Sequence, residues 1–403
     1  MTVKHSRPRV HHPFDGEWTL DLRDEDGVSG DRCTVLFLGD VALAEGIAET
    51  IEWNGPEHPF QHLSDQFFDA DVVCFNLECC LSRRGQTWEP KPVTLRGLPE
   101  YLQVFPRQNQ QYVANVANNH FLDYGEDAAV DTLRALQENG MGYFGAIGKG
   151  IEEQPFVVHT RGGCLGLLGF APASHPLSHG CKANLSSARR DELADITAAA
   201  KRKVEILFVC LHQGTEHSPY VDPAARRLST RLVEAGADGV ICHHPHVVQA
   251  IEKYRGALIF HSIGDFLIGV GQRPRLSAAV GLAVRATLAS GRIARVDVEP
   301  IRVSESLQME LLCDPQRERV HNLVDELSRL TQSRLGLLRN NLGARARWLG
   351  DKTSAFGEMA RRKGVWPSAA YYAKRIAAML QKHTGERTEA EETPDVAGRH
   401  RVE

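Results

Sequence analysis

The stretch Ile241-Cys242-His243-His244-Pro245-His246 places three histidines within four residues, directly after a short apolar run. An apolar run of this kind is typical of a buried strand whose end reaches the edge of a sheet. Alternate residues of a strand point to the same face, so we expect His244 and His246 to converge on one point and His243 to face away. Imidazoles crowded in this way indicate a metal site.

Further apolar runs also end in polar side chains that can bind a metal. These segments are 35–40, 71–78, 204–212 and the run before Asn118-Asn119-His120. Open α/β sheets present their active groups at the carboxyl edge of the strands, so we expect these ends to meet. Taken singly, each residue has a structural explanation, such as a turn, a cap or a hydrogen-bonded core histidine. Together they favour a site for Mn, Fe or Zn. The six predicted ligands are Asp40, Glu78, Asn119, His212, His244 and His246.

The order of the predicted elements favours an α/β fold. The chain has 403 residues, of which 42% are hydrophobic, which is enough for one large or two moderate domains. From about residue 33 to 300, apolar runs alternate with amphipathic segments, and two of these, 126–139 and 223–235, have the punctuation of helices. Strands predicted at 256–260, 280–288 and 293–298 are joined by tight turns, which implies a mixed sheet.

We divide the chain into four parts: an irregular lead-in at 1–30, an α/β domain at 31–303, a basic helical extension at 304–383 and a tail without fixed structure at 384–403. The strand signal disappears beyond about 304, where 317–330, 332–349 and 368–382 are predicted as helices. Residues 317–382 hold 14 Lys and Arg against 5 Asp and Glu. Such helices could bind an anionic polymer or a membrane surface, or form a solvated face.

Composition excludes several classes of protein. The net charge of −4 gives no general attraction to nucleic acid, and no run of about eighteen apolar residues predicts a membrane segment. The amino-terminal sequence is polar rather than secretory, so we expect a cytoplasmic or membrane-peripheral protein. Nine cysteines without a C-x-x-C pair argue against a disulfide framework, and Cys74, Cys210 and Cys242 are expected to be buried in strands.

Several motifs stand at the ends of these segments and in the following loops: Gly39-Asp40, Asn76-Leu77-Glu78, Ala117-Asn118-Asn119-His120 with Asp123-Tyr124-Gly125, His212-Gln213-Gly214-Thr215-Glu216, Ala235-Gly236-Ala237-Asp238, His243-His244-Pro245-His246 and Ser262-Ile263-Gly264-Asp265-Phe266. Their residues, order and spacing resemble the CapA family of capsule and poly-γ-glutamate synthesis proteins, over roughly residues 33 to 270. The resemblance implies a four-layer, calcineurin-like metallophosphoesterase fold. In that fold, two facing mixed β-sheets are flanked by helices and a dinuclear metal site lies on one edge; here a carboxy-terminal helical extension follows.

The resemblance also implies roles for single residues. Asp40 matches the opening aspartate, Glu78 the bridging carboxylate, Asn119 the asparagine of the Asn-His motif, and His120 the catalytic acid. The remaining ligands would be His212, His244 and His246. A pair of divalent cations can lower the pKa of a bridging water and clamp the attacking and leaving oxygens of a phosphoryl displacement.

The chain departs from typical calcineurin-like phosphoesterases at Ala42, and from the CapA-like pattern at Gln213, at Cys242, which replaces a glycine, and at Asp265. Ala42 stands where an Asp-x-His motif has histidine, so we expect one of the two metal positions to be weak. Gln213 replaces a tryptophan, which we expect to remove a flat wall from the mouth of the site. Asp265 replaces an asparagine, and it either adds negative charge near the metals or caps a turn.

These observations predict a metal-dependent hydrolase of the phosphoesterase type in capsule or poly-γ-glutamate biosynthesis, acting through a metal-bridged hydroxide. Its partners would be an anionic polymer or phosphoester substrate and other polymer-synthesis proteins, but no nucleic acid. Two alternatives remain open. One is a non-catalytic accessory protein that binds an anionic polymer through the basic helices, and the other is a metal-dependent γ-glutamyl hydrolase.

Overall fold

A computed structural model describes residues 19–21, 31–87, 91, 93–106, 109–148, 154–172, 183–185, 190–269, 280–333 and 336–343. The chain divides into two compact units, Met1–Trp88 with Thr94–Leu349, and Glu89–Val93 with Gly350–Glu403. Of the second unit, only Lys91 and Val93 fall within the described residues. The fold and the candidate site therefore concern the first unit.

The strands, numbered in chain order, are β1 Thr19–Asp21, β2 Arg32–Ala42, β3 Val72–Leu77, β4 Cys80–Leu81, β5 Arg96–Gly97, β6 Gln111–Asn115, β7 Gly142–Phe144, β8 Ala146–Gly148, β9 Phe156–Thr160, β10 Gly163–Phe170, β11 Ala183–Leu185, β12 Ile206–His212, β13 Gly239–His243, β14 Ile251–Tyr254, β15 Ala257–Phe260, β16 Asp265–Ile268, β17 Val280–Ala289, β18 Arg292–Val303 and β19 Met309–Leu311. The α-helices are α1 Glu45–Asn54, α2 Glu126–Glu138, α3 Arg190–Lys201, α4 Pro223–Glu234 and α5 Gln316–Gln332. Short 3-10 helices span His58–Phe60, Asp65–Phe68 and Pro99–Val104.

Two large mixed sheets carry the fold. The first has nine strands in the order β1-β18-β17-β2-β3-β6-β7, with β16 paired to β2 and β19 paired to β18. The second has six strands in the order β14-β15-β13-β12-β10-β9. In the first sheet β16, β2, β3, β6 and β7 run parallel, and in the second β10, β12, β13 and β15 do. Each sheet therefore has an edge at which several strands end together.

The sheets face each other across one apolar core. Val35 and Phe37 of β2 share a cluster of buried side chains with Ile206 and Phe208 of β12. The ring centroids of Phe37 and Phe208 lie only 4.7 Å apart. Burying an aromatic side chain of this size stabilises the fold by about 1.5–3 kcal/mol. This core fixes the two sheets against each other.

The other face of the six-stranded sheet is covered by helices. Leu207 and Val209 alternate with the inward residues of β12 and pack in a second cluster with Leu193 of α3 and Leu228 of α4. On the nine-stranded side, α2 packs against β4 and β7. The expected architecture of two facing mixed sheets flanked by helices is confirmed. Cys74, Cys210 and Cys242 are buried free thiols, as predicted.

One expectation about the later chain is wrong. The strand signal was expected to end near 304, but Met309–Leu311 forms β19 and pairs antiparallel with β18. A three-residue strand is too short to show the alternation that sequence patterns rely on. The predicted helix at 317–330 corresponds to α5, and residues 336–343 are helical within the predicted segment 332–349. The helix predicted at 368–382, the basic run Arg361-Arg362-Lys363 and the tail lie outside the described residues.

Among the helices that the structure describes, none combines the length and the apolar character that crossing a bilayer requires.

Candidate metal centre

Asp40 reaches the space between the sheets because β2 is irregular. Phe37 faces the inter-sheet core, so regular alternation would turn residue 39, not Asp40, inward. The register of β2 with β3 shifts between Leu38 and Asp40, and this bulge changes the alternation. A Cβ on Gly39 would lie 2.1 Å from the carbonyl oxygen of Gly264, so only glycine allows β2 and β16 to approach here.

Buried amides hold the carboxylate of Asp40 in place. Asn76 Nδ2 donates a hydrogen bond of 2.7 Å to Asp40 Oδ1. Asn76 Oδ1 accepts in turn from Asn115 Nδ2 at 3.0 Å and from Asn118 Nδ2 at 3.3 Å. All four side chains are buried, so their hydrogen bonds are strong and their orientation is fixed. Asn76 was missed as a site residue, although a polar residue in the otherwise apolar strand β3 was a signal.

Glu78 follows β3 directly and lies among three imidazoles from different parts of the chain. Its Oε1 is 3.4 Å from His212 Nε2, 3.6 Å from His246 Nε2 and 4.0 Å from His120 Nε2. The Glu78 side chain is fully buried. A carboxylate with histidines on several sides is suited to hold more than one cation.

His212 ends β12 and lies between donors of both sheets. His212 Nε2 is 2.7 Å from Asn119 Oδ1 and 3.1 Å from His244 Nδ1, while its Nδ1 is 3.3 Å from Asn76 Nδ2. Burial, together with the neighbouring histidines, lowers the pKa of His212 well below its ordinary value. Burial lowers the pKa of His244 to about 4. Both imidazoles are therefore neutral at pH 7, which is the form that binds metals.

His244 and His246 do converge, but strand alternation is not the reason. β13 ends at His243, so the two later histidines lie in a loop. The backbone φ is 97° at His244 and 56° at His246, conformations that side-chain-bearing residues rarely adopt. Each such residue costs about 1–3 kcal/mol and is typical of functional sites. His243, expected to face away, instead lies on the inner face of β13, in register with His212, and its Nε2 lies 3.3 Å from the carbonyl oxygen of Leu38 in the opposite sheet.

His246 also contacts the two aspartates of the nine-stranded sheet. Its Nδ1 donates to Asp265 Oδ1 at 2.7 Å and lies 3.4 Å from Asp40 Oδ2. Asp265 is 3% exposed and points into the cluster, so it adds negative charge to the site. Three overlapping sets have donor atoms within 4.8 Å of one another: Glu78 with His244 and His246, Asp40 with His246 and Asp265, and Asp40 with Glu78 and His212.

The donor set fits divalent cations. Three carboxylates, Asp40, Glu78 and Asp265, are buried within one cluster whose imidazoles have lowered pKa values at His212 and His244. Buried carboxylates in such numbers need compensating positive charge, because their desolvation is otherwise costly. Oxygen and neutral imidazole donors are those that Mn, Fe and Zn accept. The six residues predicted as ligands all lie in this region, and the predicted acid, His120, lies beside Glu78.

Asp123, for which the sequence predicted no role, positions His120. His120 Nδ1 donates to Asp123 Oδ2 at 2.6 Å, and the same oxygen accepts from the backbone N–H of Leu95 at 2.8 Å. Asp123 is 2% exposed. With Nδ1 occupied in this way, Nε2 of His120 is directed towards Glu78.

Gln213 does not line the mouth of the site, contrary to expectation. Its side chain is buried, and its Nε2 donates to the carbonyl oxygen of Ala225 and to Ser229 Oγ, both at 3.2 Å and both on α4. His212 is on the inner face of β12, so the next residue faces the helix layer. Gln213 therefore contributes to the packing of α4 rather than to the mouth of the site.

Fold and donor set together define an α/β protein of two facing sheets with a candidate metal centre where strands of both sheets end. The chain belongs to the family described as Bacterial capsule synthesis protein PGA_cap, whose profile matches residues 34–270. The expected membership of the CapA family is thereby confirmed.

Individual relatives share low sequence identity with this chain. The Capsule biosynthesis protein CapA of Bacillus anthracis is 26% identical over 72% of each chain. The PGA biosynthesis protein CapA of Bacillus subtilis (strain 168) is 27% identical over 75% of this chain and 79% of the relative. A probable polyglutamine synthesis accessory protein of Mycobacterium tuberculosis is 27% identical over 64% and 73%. A crystal structure of a phosphatase from Mycoplasma pneumoniae aligns with 73% of this chain and 100% of its own, at 13% identity and a TM-score of 0.42.

Proposed function

We propose that this protein is a metal-dependent hydrolase of the phosphoesterase type that acts in the biosynthesis of capsule or poly-γ-glutamate. The observation that carries the proposal is the convergence of three buried carboxylates with His212, His244 and His246. Membership of a capsule synthesis family supports the biological setting. Two divalent cations bound by these residues would supply a water of lowered pKa and offset the charge of a phosphoryl group.

The chain's own residues would supply the remaining chemistry. His120 Nε2, directed at the carboxylate side of the centre, is placed to give a proton to a departing oxygen. Asp123 accepts from Nδ1 and would stabilise the protonated imidazole before that transfer. The amides of Asn76 and Asn118 would keep Asp40 oriented while ions or substrate exchange.

The test is metal analysis of the purified protein combined with a panel of phosphodiester, phosphomonoester and γ-glutamyl peptide substrates, with Mn, Fe or Zn supplied. We expect about two ions per chain and hydrolysis of a phosphodiester. Asp40→Ala, Glu78→Ala and His246→Ala should each lower activity by at least about 100-fold, because even changes to residues that only orient metal ligands cost 10–100-fold.

The matched control is His159→Ala, which removes an exposed histidine from β9 and should leave metal content and activity unchanged. Wild-type protein without bound metal, or donor variants indistinguishable from the control, would contradict the proposal. His120→Ala separates chemistry from binding, since it should retain both ions and lose activity.

The accessory function is the second candidate, and it is supported by what the Mycobacterium tuberculosis relative is called. In that case the metal centre would organise a binding surface. Protein that holds two ions, hydrolyses nothing in the panel and binds poly-γ-glutamate would favour this function. Cleavage of γ-glutamyl peptides without cleavage of phosphodiesters would instead favour the γ-glutamyl hydrolase.

A further inference from the structure

Asp265 stands in direct register with Asp40. β16 runs parallel to β2, and these two residues are paired across the strands. Their exposed fractions are 3% and 0%. The sheet thus fixes two carboxylates side by side in a buried place, because neither backbone can move without breaking the pairing of β2 and β16.

One imidazole lies against both carboxylates. His246 Nδ1 is 2.7 Å from Asp265 Oδ1 and 3.4 Å from Asp40 Oδ2. Without a cation, Nδ1 gives its proton to Asp265; in the other tautomer, with the proton on Nε2, Nδ1 would be free to bind a cation together with both carboxylates. The two buried carboxylates bring negative charge into one place, and a cation between them would offset it.

We propose that Asp265 is a metal ligand, which shares a first cation position with Asp40, His246 and the bridging Glu78. This inference deepens the proposed function and rests on it. Asp265 would replace the imidazole that Ala42 cannot supply. The first position would then have three carboxylates and one imidazole, whereas the second, formed by Glu78, Asn119, His212 and His244, would have two oxygens and two imidazoles.

The two positions should differ in metal preference. Carboxylate oxygens suit Mn²⁺, while imidazole nitrogens suit Zn²⁺. Zn²⁺ binds more tightly than Mn²⁺ at most such sites, so the preference shows in the ratio of the two dissociation constants. The Mn²⁺ dissociation constant divided by the Zn²⁺ dissociation constant should be smaller at the first position than at the second, by about tenfold or more.

The experiment uses the full chain, from which metal is removed with a chelator. One sample is titrated with Mn²⁺ and a separate sample with Zn²⁺. Calorimetry measures the binding of both ions, and the electron paramagnetic resonance signal of free Mn²⁺ measures the binding of Mn²⁺. Asp265→Asn is the decisive variant, because the amide keeps the shape and can still accept the proton of His246. We expect it to weaken one Mn²⁺ site by about 10–100-fold and to leave the other unchanged. Asp127→Asn, an exposed change of the same kind on α2, should bind both ions as the wild type does.

Equal Mn²⁺ affinities in Asp265→Asn and in the wild type would show that Asp265 only orients His246, and would overturn the inference while the metal centre stands. A wild type that binds no ion would instead remove the proposed function itself. The ratios of dissociation constants are measured on the wild type and do not depend on whether a variant folds. Equal Zn²⁺-to-Mn²⁺ ratios at both positions would therefore also overturn the inference.

Discussion

The two sheets bring different chemistry to the edge where they meet. The nine-stranded sheet and its loops supply oxygen donors, whereas the six-stranded sheet supplies imidazoles. The oxygen donors are Asp40, Glu78, Asn119 and Asp265, and the imidazoles are His212, His244 and His246. Each of the three overlapping donor sets takes residues from both sheets. The docking of the sheets is therefore part of the candidate site.

The strongest way to break this arrangement is to weaken the core between the sheets. Phe208→Ala removes the ring that lies 4.7 Å from Phe37, and should lower the free energy of unfolding by about 3–5 kcal/mol. Metal affinity should fall as well, although every donor is intact, because the two donor sets would lose their fixed spacing. Urea unfolding and metal titration measure the two effects.

Val157→Ala is the control for this change. Val157 lies on β9 of the same sheet and is 39% exposed, so its truncation should cost no more than about 0.5 kcal/mol. If Phe208→Ala is much less stable yet binds metal with wild-type affinity, the two donor sets do not depend on the docking of the sheets.

The contribution of a histidine of the six-stranded sheet to stability can be tested by lowering the pH. Burial lowers the pKa of His243 to about 4, whereas in the unfolded chain it titrates near 6.5. Between these pH values the unfolded state therefore binds a proton at this residue and the folded state does not. The stability that His243 contributes is complete above about pH 6.5 and is lost as the pH falls towards 4. The loss amounts to about 3 kcal/mol.

The measurement is urea unfolding of metal-free protein between pH 7 and 4, for the wild type and His243→Gln. His212 and His244 are present in both proteins, so the difference in slope measures His243 together with its effect on the pKa of His212. We expect the variant to have the flatter profile. Parallel profiles would mean that His243 takes up its proton without unfolding the sheet edge.

The ends of the strands could be predicted from the sequence because donors at the carboxyl ends of parallel strands share an edge. Glu78 and His212 follow this rule directly. Alternation along β12 also predicts the orientation of Gln213, because an inward-facing His212 places the next residue on the outer face of the sheet.

Other parts of the site depend on contacts that no local pattern contains. The pairing of Asp265 with Asp40 is set by the register of β16 on β2, two strands far apart in the chain. The bulge at Gly39 follows from the close approach of Gly264, and the loop at His244 has a backbone conformation that histidine does not favour by itself. Each is imposed by the packed fold rather than by propensity.

The smallest expected effect concerns the helix layer behind the imidazoles. Asp222 caps α4, and its Oδ1 accepts from the backbone N–H groups of Ala224 at 2.7 Å and Ala225 at 3.0 Å. Asp222→Ala should lower the free energy of unfolding by about 1 kcal/mol, while Asp222→Asn, which keeps an acceptor, should cost only a few tenths. Thermal unfolding measures both. Metal stoichiometry should be unchanged in either variant, because α4 packs on the outer face of the sheet. Loss of an ion in Asp222→Ala alone would mean that the imidazole side depends on its helices as much as on the opposite sheet.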